Sequence, residues 1–317
     1  MNATTTIRVA AVQIEADVGN VDHNLEACER QVNRAAVEGA AWIVLPEFFS
    51  TGVAFCPGLS RDAAPSDGAP TRLLRDLARR HGAHVGGSTL VRDQDGHVRN
   101  AFLLAGPNGR LLGRHDKDLP TMWENALYVG GDDSGRIETG SATVGVALCW
   151  ELLRTQTVKR LAGQVDLVLG GSGWWSVPKW PSLAGAEIRN ARRATQAPQV
   201  FARHVGAPVV HAAHAGPLSC RFPGTPLTYR GHFEGGAQVC DASGKVLAFR
   251  GRERGNSVAV ADVETGRAAP APTPGRFWLQ RRGAVAAFAW AHQNRHGRRV
   301  YRRLSEPASR EPVAVAT

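Results

Sequence analysis

Short apolar runs alternate along this chain with longer stretches whose apolar positions recur every three or four residues. "IRVAAVQI" (7–14) reads as a first strand, and "DHNLEACERQVNRAAVEGA" (22–40) carries the helical period, with Asp22 as its cap and Gly39 as its stop. "AWIVLP" (41–46) is a short strand ended by proline, and "TRLLRDLARRHG" (71–82) is an amphipathic helix. "AHVGGSTLV" (83–91) and "RNAFLLAG" (99–106) read as strands, and "GPNGR" (106–110) as a hairpin turn. "ATVGVALC" (142–149) predicts a strand, followed by a helix from about 151 to 163, and "VDLVLGG" (165–171) predicts the next strand. Residues 182–205 read as helix with a break at Pro198. "APVVHAA" (207–213), "GAQVCDASGKVLAFR" (236–250, with "DASGK" as a turn) and "NSVAVADV" (256–263) complete the strands. Helices between strands predict a layered α/β protein. The short turns imply antiparallel pairs as well, so a purely parallel doubly wound sheet fits poorly.

Composition adds limits to this pattern. The chain has 317 residues, 43% of them hydrophobic, enough for a sizeable core. No internal repeat and no linker interrupts it before residue 265, and the proline-rich "AAPAPTPG" (268–275) marks an edge. The expected organisation is one domain over 7–265, a basic helical extension over 276–303 and a disordered tail over 304–317. No apolar run approaches the roughly 20 residues that span a bilayer. "MNATTT" does not resemble a signal peptide, so the expected setting is cytoplasmic. The five cysteines, Cys28, Cys56, Cys149, Cys220 and Cys240, are scattered and odd in number, which favours free thiols.

The formal charge of +10 is uneven, because nine arginines lie after residue 275. A nucleic-acid partner is not expected, since no binding motif accompanies the charge; a solvated tail or a helix at a subunit contact explains it better. His204, His211 and His214, and the i,i+4 pair His292 and His296, lack a cysteine or carboxylate ligand pattern, so no metal is expected. The pairs Gly130-Gly131 and Gly170-Gly171 fit no phosphate loop and read as turns.

Three places carry chemistry. In "LPEFF" (45–49), Glu47 stands at a strand end among aromatic residues, where partial desolvation raises a carboxyl pKa and suits it to act as a base. In "GRHDKDLPTMWENALYVGGDD" (113–133), Lys117 precedes Glu124 across a Pro-Thr break, so the two would meet through a turn. In "VGVALCWELLRT" (144–155), Cys149 ends a buried strand and meets the expected helix, whose N-terminal N–H groups would lower the thiol pKa and hold an oxyanion, with the Trp150 N–H as donor. Alone, each has an ordinary explanation: a strand-end glutamate, a surface ion pair or an inert packed cysteine.

Their order resembles the nitrilase superfamily of carbon–nitrogen hydrolases. "PE" with aromatics, a lysine with a trailing "P-T-x-x-E", and "C-W-E" stand in the family's sequence, and the likeness covers about residues 7–265, including Gln13 in the first strand. The resemblance implies a four-layer αββα sandwich, Glu47, Lys117 and Cys149 as a catalytic triad, and Glu124 as a fourth member. It further implies a small-molecule amide or nitrile substrate, no cofactor, and a homodimer or larger homo-oligomer. "GGSGWWSVPKW" (170–180) would bring Trp174 and Trp175 to the substrate pocket. The familiar "R-A-x-E-N" after the long helix is missing; "FARHVGAPVVHAAHAG" (201–216) stands there. Hydrolysis of an amide or nitrile is therefore expected. Acyl transfer to an amine, or a silent scaffold that binds through the basic extension, are the alternatives.

Overall fold

β1 (Thr5–Glu15) is buried on both faces from Val9 to Ile14, which is why it reads as a continuous apolar run rather than an alternating one. A computed structural model describes residues 5–178, 184–222, 225–276 and 283–305. After β1 come α1 (Val21–Val37), β2 (Trp42–Val44), α2 (Gly58–Arg61), β3 (Ala64–Pro65) and α3 (Ala69–His81). β4 (His84–Arg92), β5 (Val98–Ala105) and β6 (Leu111–Asp116) form an antiparallel meander. β7 (Arg136–Glu138), β8 (Thr143–Val146), α4 (Thr155–Leu161), β9 (Leu167–Ser172), α5 (Ala184–Val205) and β10 (Val209–Ala215) follow. β11 (Pro217–Arg221), β12 (Thr228–His232), β13 (Gly235–Cys240), β14 (Val246–Gly251), β15 (Ser257–Thr265) and α6 (Ala284–Ser305) complete the order.

Thirteen of the described strands join one mixed sheet, whose main path runs β6-β5-β4-β2-β1-β10-β9-β8-β7. β1 is parallel to β2 and β10 and antiparallel to β15, so the mixed α/β fold carries both pairing types. Side-chain alternation sorts the core into clusters. Val9, Ala11, Val44, Phe102, Leu104, Val146, Leu148, Leu169 and Val210 meet in one. The opposite faces of β1, β2 and β5 pack against α1 and α3, and those of β9 and β10 against α4 and α5. Gln13 ties β1 to the late hairpin: its amide donates to the carbonyls of Gly251 and Gly255 and accepts from the Gly236 N–H.

Four expectations need correction. The cap of α1 is Asn20, whose side chain accepts from the His23 N–H, while Asp22 lies in the first turn. Pro198 lies inside α5 without ending it. The missing N–H and ring clash cost about 3 kcal/mol, but burial of Ala194, Ala197, Phe201 and Val205 against the sheet favours continuity. The helix expected at 151–163 is a 3-10 turn, Cys149–Leu153, then a short α4 beginning at Thr155. Gly170 and Gly171 lie in β9 rather than a turn; a Cβ at Gly171 would stand 2.8 Å from the Glu47 nitrogen, and one at Gly170 would overlap the Ala147 carbonyl. Their bare backbone lets β9 approach both the Glu47 turn and the strand leading to Cys149.

The segment after β15 is tied back to the sheet and helices. Ala268 N–H donates to the Gly206 carbonyl, Ala271 N–H to Arg203 and Thr155 N–H to Arg276. α6 then packs against the 3-10 turn Met122–Ala126. The tail expected to be disordered (304–317) lies outside the described residues after Ser305. Among the described residues, no helix is long and apolar enough to cross a membrane.

Candidate active site

Three non-glycine residues among those described have left-handed backbone: Phe48 (φ 54°), Met122 (φ 52°) and Cys149 (φ 48°). Such conformations cost about 1–3 kcal/mol and persist where the surroundings hold them. Each lies at one of the chemical segments. Phe48 follows Glu47, Met122 lies between Lys117 and Glu124, and Cys149 is itself the candidate nucleophile. The turns swing the side chains off the strand ends and toward one another.

Lys117 is fully buried and stands between two carboxylates. Its Nζ donates to Glu47 Oε1 at 2.8 Å and to Glu124 Oε2 at 2.8 Å, with Thr121 Oγ1 at 3.4 Å. The 3-10 turn brings Glu124 back, where Oε2 also accepts from the Thr121 N–H (3.1 Å) and the Tyr128 hydroxyl (2.5 Å). Glu47 accepts from Asn100 Nδ2 at 2.9 Å on Oε1 and from the Gly173 N–H at 3.1 Å on Oε2. His214 Nε2 donates to the Glu47 carbonyl at 2.6 Å. Burial and the neighbouring carboxylate raise the Glu47 pKa, against the pull of Lys117. Burial by itself would lower the Lys117 pKa, but Glu124 and Glu47 together hold it well above the usual range, so the ammonium persists.

Cys149 is buried at 3% exposure beside this cluster. Burial comes first in pushing its thiol well above the ordinary range, Glu47 adds to that through its charge and a hydrogen bond, and Lys117 opposes it. The expected lowering by a helix N-terminus is therefore reversed. The 3-10 turn at Cys149 offers little dipole, and α4 starts only at Thr155. A proton shared between the Glu47 carboxyl and the Cys149 thiol fits this electrostatics better than a standing thiolate.

Cys149 lines a cavity of about 200 Å³ whose wall also includes Thr121, Trp123, Glu124, Trp150, Trp174 and Trp175. Trp150 lies 6.0 Å from Trp174, and Trp175 lies 4.5 Å from Trp123 and 4.8 Å from Tyr229, ring centre to ring centre. The structure thus brings Glu47, Lys117, Glu124, Cys149, Trp150, Trp174 and Trp175 to one place.

With that geometry in view, the comparisons decide the lineage: residues 8–273 match the family model of carbon-nitrogen hydrolases. The chain belongs to the carbon-nitrogen hydrolase family. A nitrilase of Pyrococcus abyssi is 28% identical over 49% of this chain and 60% of its own length. An omega-amidase of Mus musculus is 27% identical over 47% of this chain and 56% of its own. The chain thus spans a little over half the length of these curated relatives. Among solved structures, an amidase from Nesterenkonia sp. AN1 shares the fold at TM-score 0.62 and 20% identity, covering 90% of this chain and 99% of that one. A carbon-nitrogen hydrolase from Helicobacter pylori G27 does so at TM-score 0.68 and 15% identity, covering 82% and 89%.

Sequence reasoning missed several residues of this family member. Asn100 left one signal, a polar residue inside an apolar strand, and it points at Glu47. Tyr128 left none. His214, weighed above only as a metal ligand, braces the Glu47 backbone, and burial lowers its pKa to about 4, which keeps it neutral. His211 likewise bonds Ser172 Oγ at 3.0 Å. Behind the nucleophile, Glu151 accepts from the Leu148 and Asp118 N–H groups at 2.9 and 3.0 Å and lies 3.1 Å from His115 Nε2. The basic extension supplies Trp290, 5.2 Å from Trp150, and Gln293, which lines the cavity.

Proposed function

We propose that this chain is a cysteine-dependent hydrolase of a small amide or nitrile, with Glu47, Lys117 and Cys149 as its reacting groups and Glu124 as the partner that holds Lys117. The observation that carries this reading is a buried cluster in which the Lys117 ammonium joins the Glu47 and Glu124 carboxylates, with Glu124 and the buried Cys149 lining one small cavity. Its volume lies below the roughly 300–1,000 Å³ of drug-sized ligand sites, which favours a small substrate.

The chemistry follows from the arrangement. The Glu47 carboxylate takes the thiol proton as sulfur attacks the carbonyl carbon; the C–S bond forms and the C=O electron pair moves to oxygen. Lys117, kept cationic by its two carboxylates, and the Trp150 backbone N–H meet the developing charge, a stabilisation of about 3–4 kcal/mol by analogy with other oxyanion holes. Glu47 returns its proton to the departing nitrogen, the C–N bond breaks, and ammonia or an amine leaves. Water, deprotonated by Glu47, then attacks the thioester, and the released sulfur regains the proton. A nitrile would pass through a thioimidate by the same proton route.

Intact-mass measurement during turnover of a mixed panel of amides and nitriles tests the reading. An acyl or imidoyl mass added to the wild type and absent from Cys149→Ala is expected. An adduct that persists in Cys149→Ala would overturn the assignment of the nucleophile. Added amine distinguishes water from amine as the acceptor, since acyl transfer would yield the substituted amide.

The scaffold alternative is disfavoured by α6. Trp290, Gln293 and Tyr301 turn inward against the site and its surroundings, so this helix is not a free basic arm.

A further inference from the structure

The side-chain oxygen of Gln293 is buried, has no hydrogen-bond partner, and belongs to a residue that lines the same cavity as Cys149. The residue as a whole is 8% exposed. A buried acceptor left unpaired is costly, and native structures rarely keep one without a reason. The other polar side chains of the wall are engaged. Asn190 accepts from Trp174 Nε1 and donates to Glu234 and to the Trp175 carbonyl. Ser176 and Tyr229 bond each other, and Glu124 holds Lys117. Among the described lining residues, Gln293 Oε1 is the one buried side-chain acceptor without a partner.

The helix that carries it is firmly seated. Trp290 lies 5.2 Å from Trp150, ring centre to ring centre and tilted by 35°, and the Asn294 amide meets Asn125 at 2.8 Å. Gly297 brings the backbone against the 3-10 turn, where a Cβ would stand 3.0 Å from the Ala126 nitrogen. The Tyr301 hydroxyl accepts from the Val98 N–H at 2.9 Å. Positions 290, 293, 294, 297 and 301 follow one helical stripe. Gln293 is therefore held by its helix on a wall of flat aromatic faces: Trp123, Trp150, Trp174, Trp175, Phe222 and Tyr229.

We infer that Gln293 is a specificity-determining residue: its amide oxygen accepts a hydrogen bond from an N–H or O–H on the substrate outside the scissile group. The substrate class this selects is a small neutral aromatic amide or nitrile bearing such a donor. The aromatic walls supply the stacking surface, and the buried acceptor penalises an analogue that leaves it unpaired. This inference rests on the hydrolase reading for its substrate class.

The test uses matched arylacetamides and arylacetonitriles carrying either a ring hydroxyl or a methyl group in its place. Wild type is expected to favour the hydroxyl compound by roughly tenfold or more in kcat/KM, mainly through KM. Gln293→Met, close in shape, should reduce that preference to about twofold or less. Binding to Cys149→Ala protein, followed by quenching of the pocket tryptophans, provides a second measurement that needs no turnover. There the same preference is expected, and its loss in the Cys149→Ala/Gln293→Met protein. A preference that survives Gln293→Met, no preference in either measurement, or binding of neither compound overturns the inference. Discriminating binding without turnover or a mass adduct in wild type would instead sink the hydrolase reading and leave Gln293 its recognition role.

Discussion

Asn100 Nδ2 lies 2.9 Å from Glu47 Oε1, the oxygen that Lys117 Nζ also holds at 2.8 Å. Two donors on one oxygen fix the carboxylate's rotation, and the Gly173 N–H on Oε2 completes the clamp. A bond to the charged form also favours that form. Asn100→Leu is expected to lower kcat/KM about 10- to 100-fold, within the range for a lost bond to a charged group, and to move the acid limb of the pH profile upward. A profile unchanged in position would show that Asn100 only packs.

Burial raises the Glu47 pKa, and in the proposed mechanism its deprotonated form is the base. Activity is therefore expected to fall as pH drops through a midpoint above 4.5, the ordinary glutamate value. Glu47→Gln should remove that limb and reduce kcat by about 10²- to 10⁴-fold. The check is kcat/KM between pH 4 and 9 for both proteins; a wild-type midpoint at or below 4.5 counts against this base.

His115 bridges Asp133, 2.6 Å from Nδ1, and Glu151, 3.1 Å from Nε2. Burial alone would lower its pKa, yet Glu151 and Asp133 raise it from 6.5 to about 10. A folded pKa above the unfolded one means the pairing stabilises fully below about pH 6.5 and fades as pH rises through about 10. His115→Leu leaves Glu151 buried without that partner and should cost about 3–5 kcal/mol. Urea unfolding at pH 6 and at pH 10.5 should show the gap between wild type and variant narrowing at the higher pH.

Gly297→Leu is expected to lift α6 from the 3-10 turn, because even a Cβ would meet the Ala126 nitrogen and Asn125 Cβ at 3.0 Å. Leucine favours helix over glycine by nearly 1 kcal/mol, so the helix itself should survive. Hydrogen exchange should then speed up in the turn Met122–Ala126, and KM should change more than kcat. Unchanged exchange there would mean the contact gives way without moving the helix.

How far the sequence reaches is clearest at these residues. The apolar runs of β1, β4 and β9 and the helical periods of α1 and α3 are local patterns, and they placed most of the scaffold. Glu47 and Cys149 stood out because each breaks such a pattern where a strand ends, Lys117 because Glu124 trails it across a Pro-Thr break, and their order carried the family. The number of strands in one sheet, the β11–β12 hairpin and the continuity of α5 through Pro198 depend on what each segment packs against, and local chemistry does not encode that.

The sequence by itself therefore determined the mixed α/β class and the family and singled out the side chains proposed to react, because each rests on residue type and short-range spacing. Only the tertiary structure decided that Asn100 and Gly173 clamp Glu47, that burial raises the Cys149 thiol instead of a helix lowering it, and that the basic C-terminal helix carries Gln293 to the cavity. Those outcomes depend on burial and on contacts between residues more than 50 positions apart, which no local pattern records.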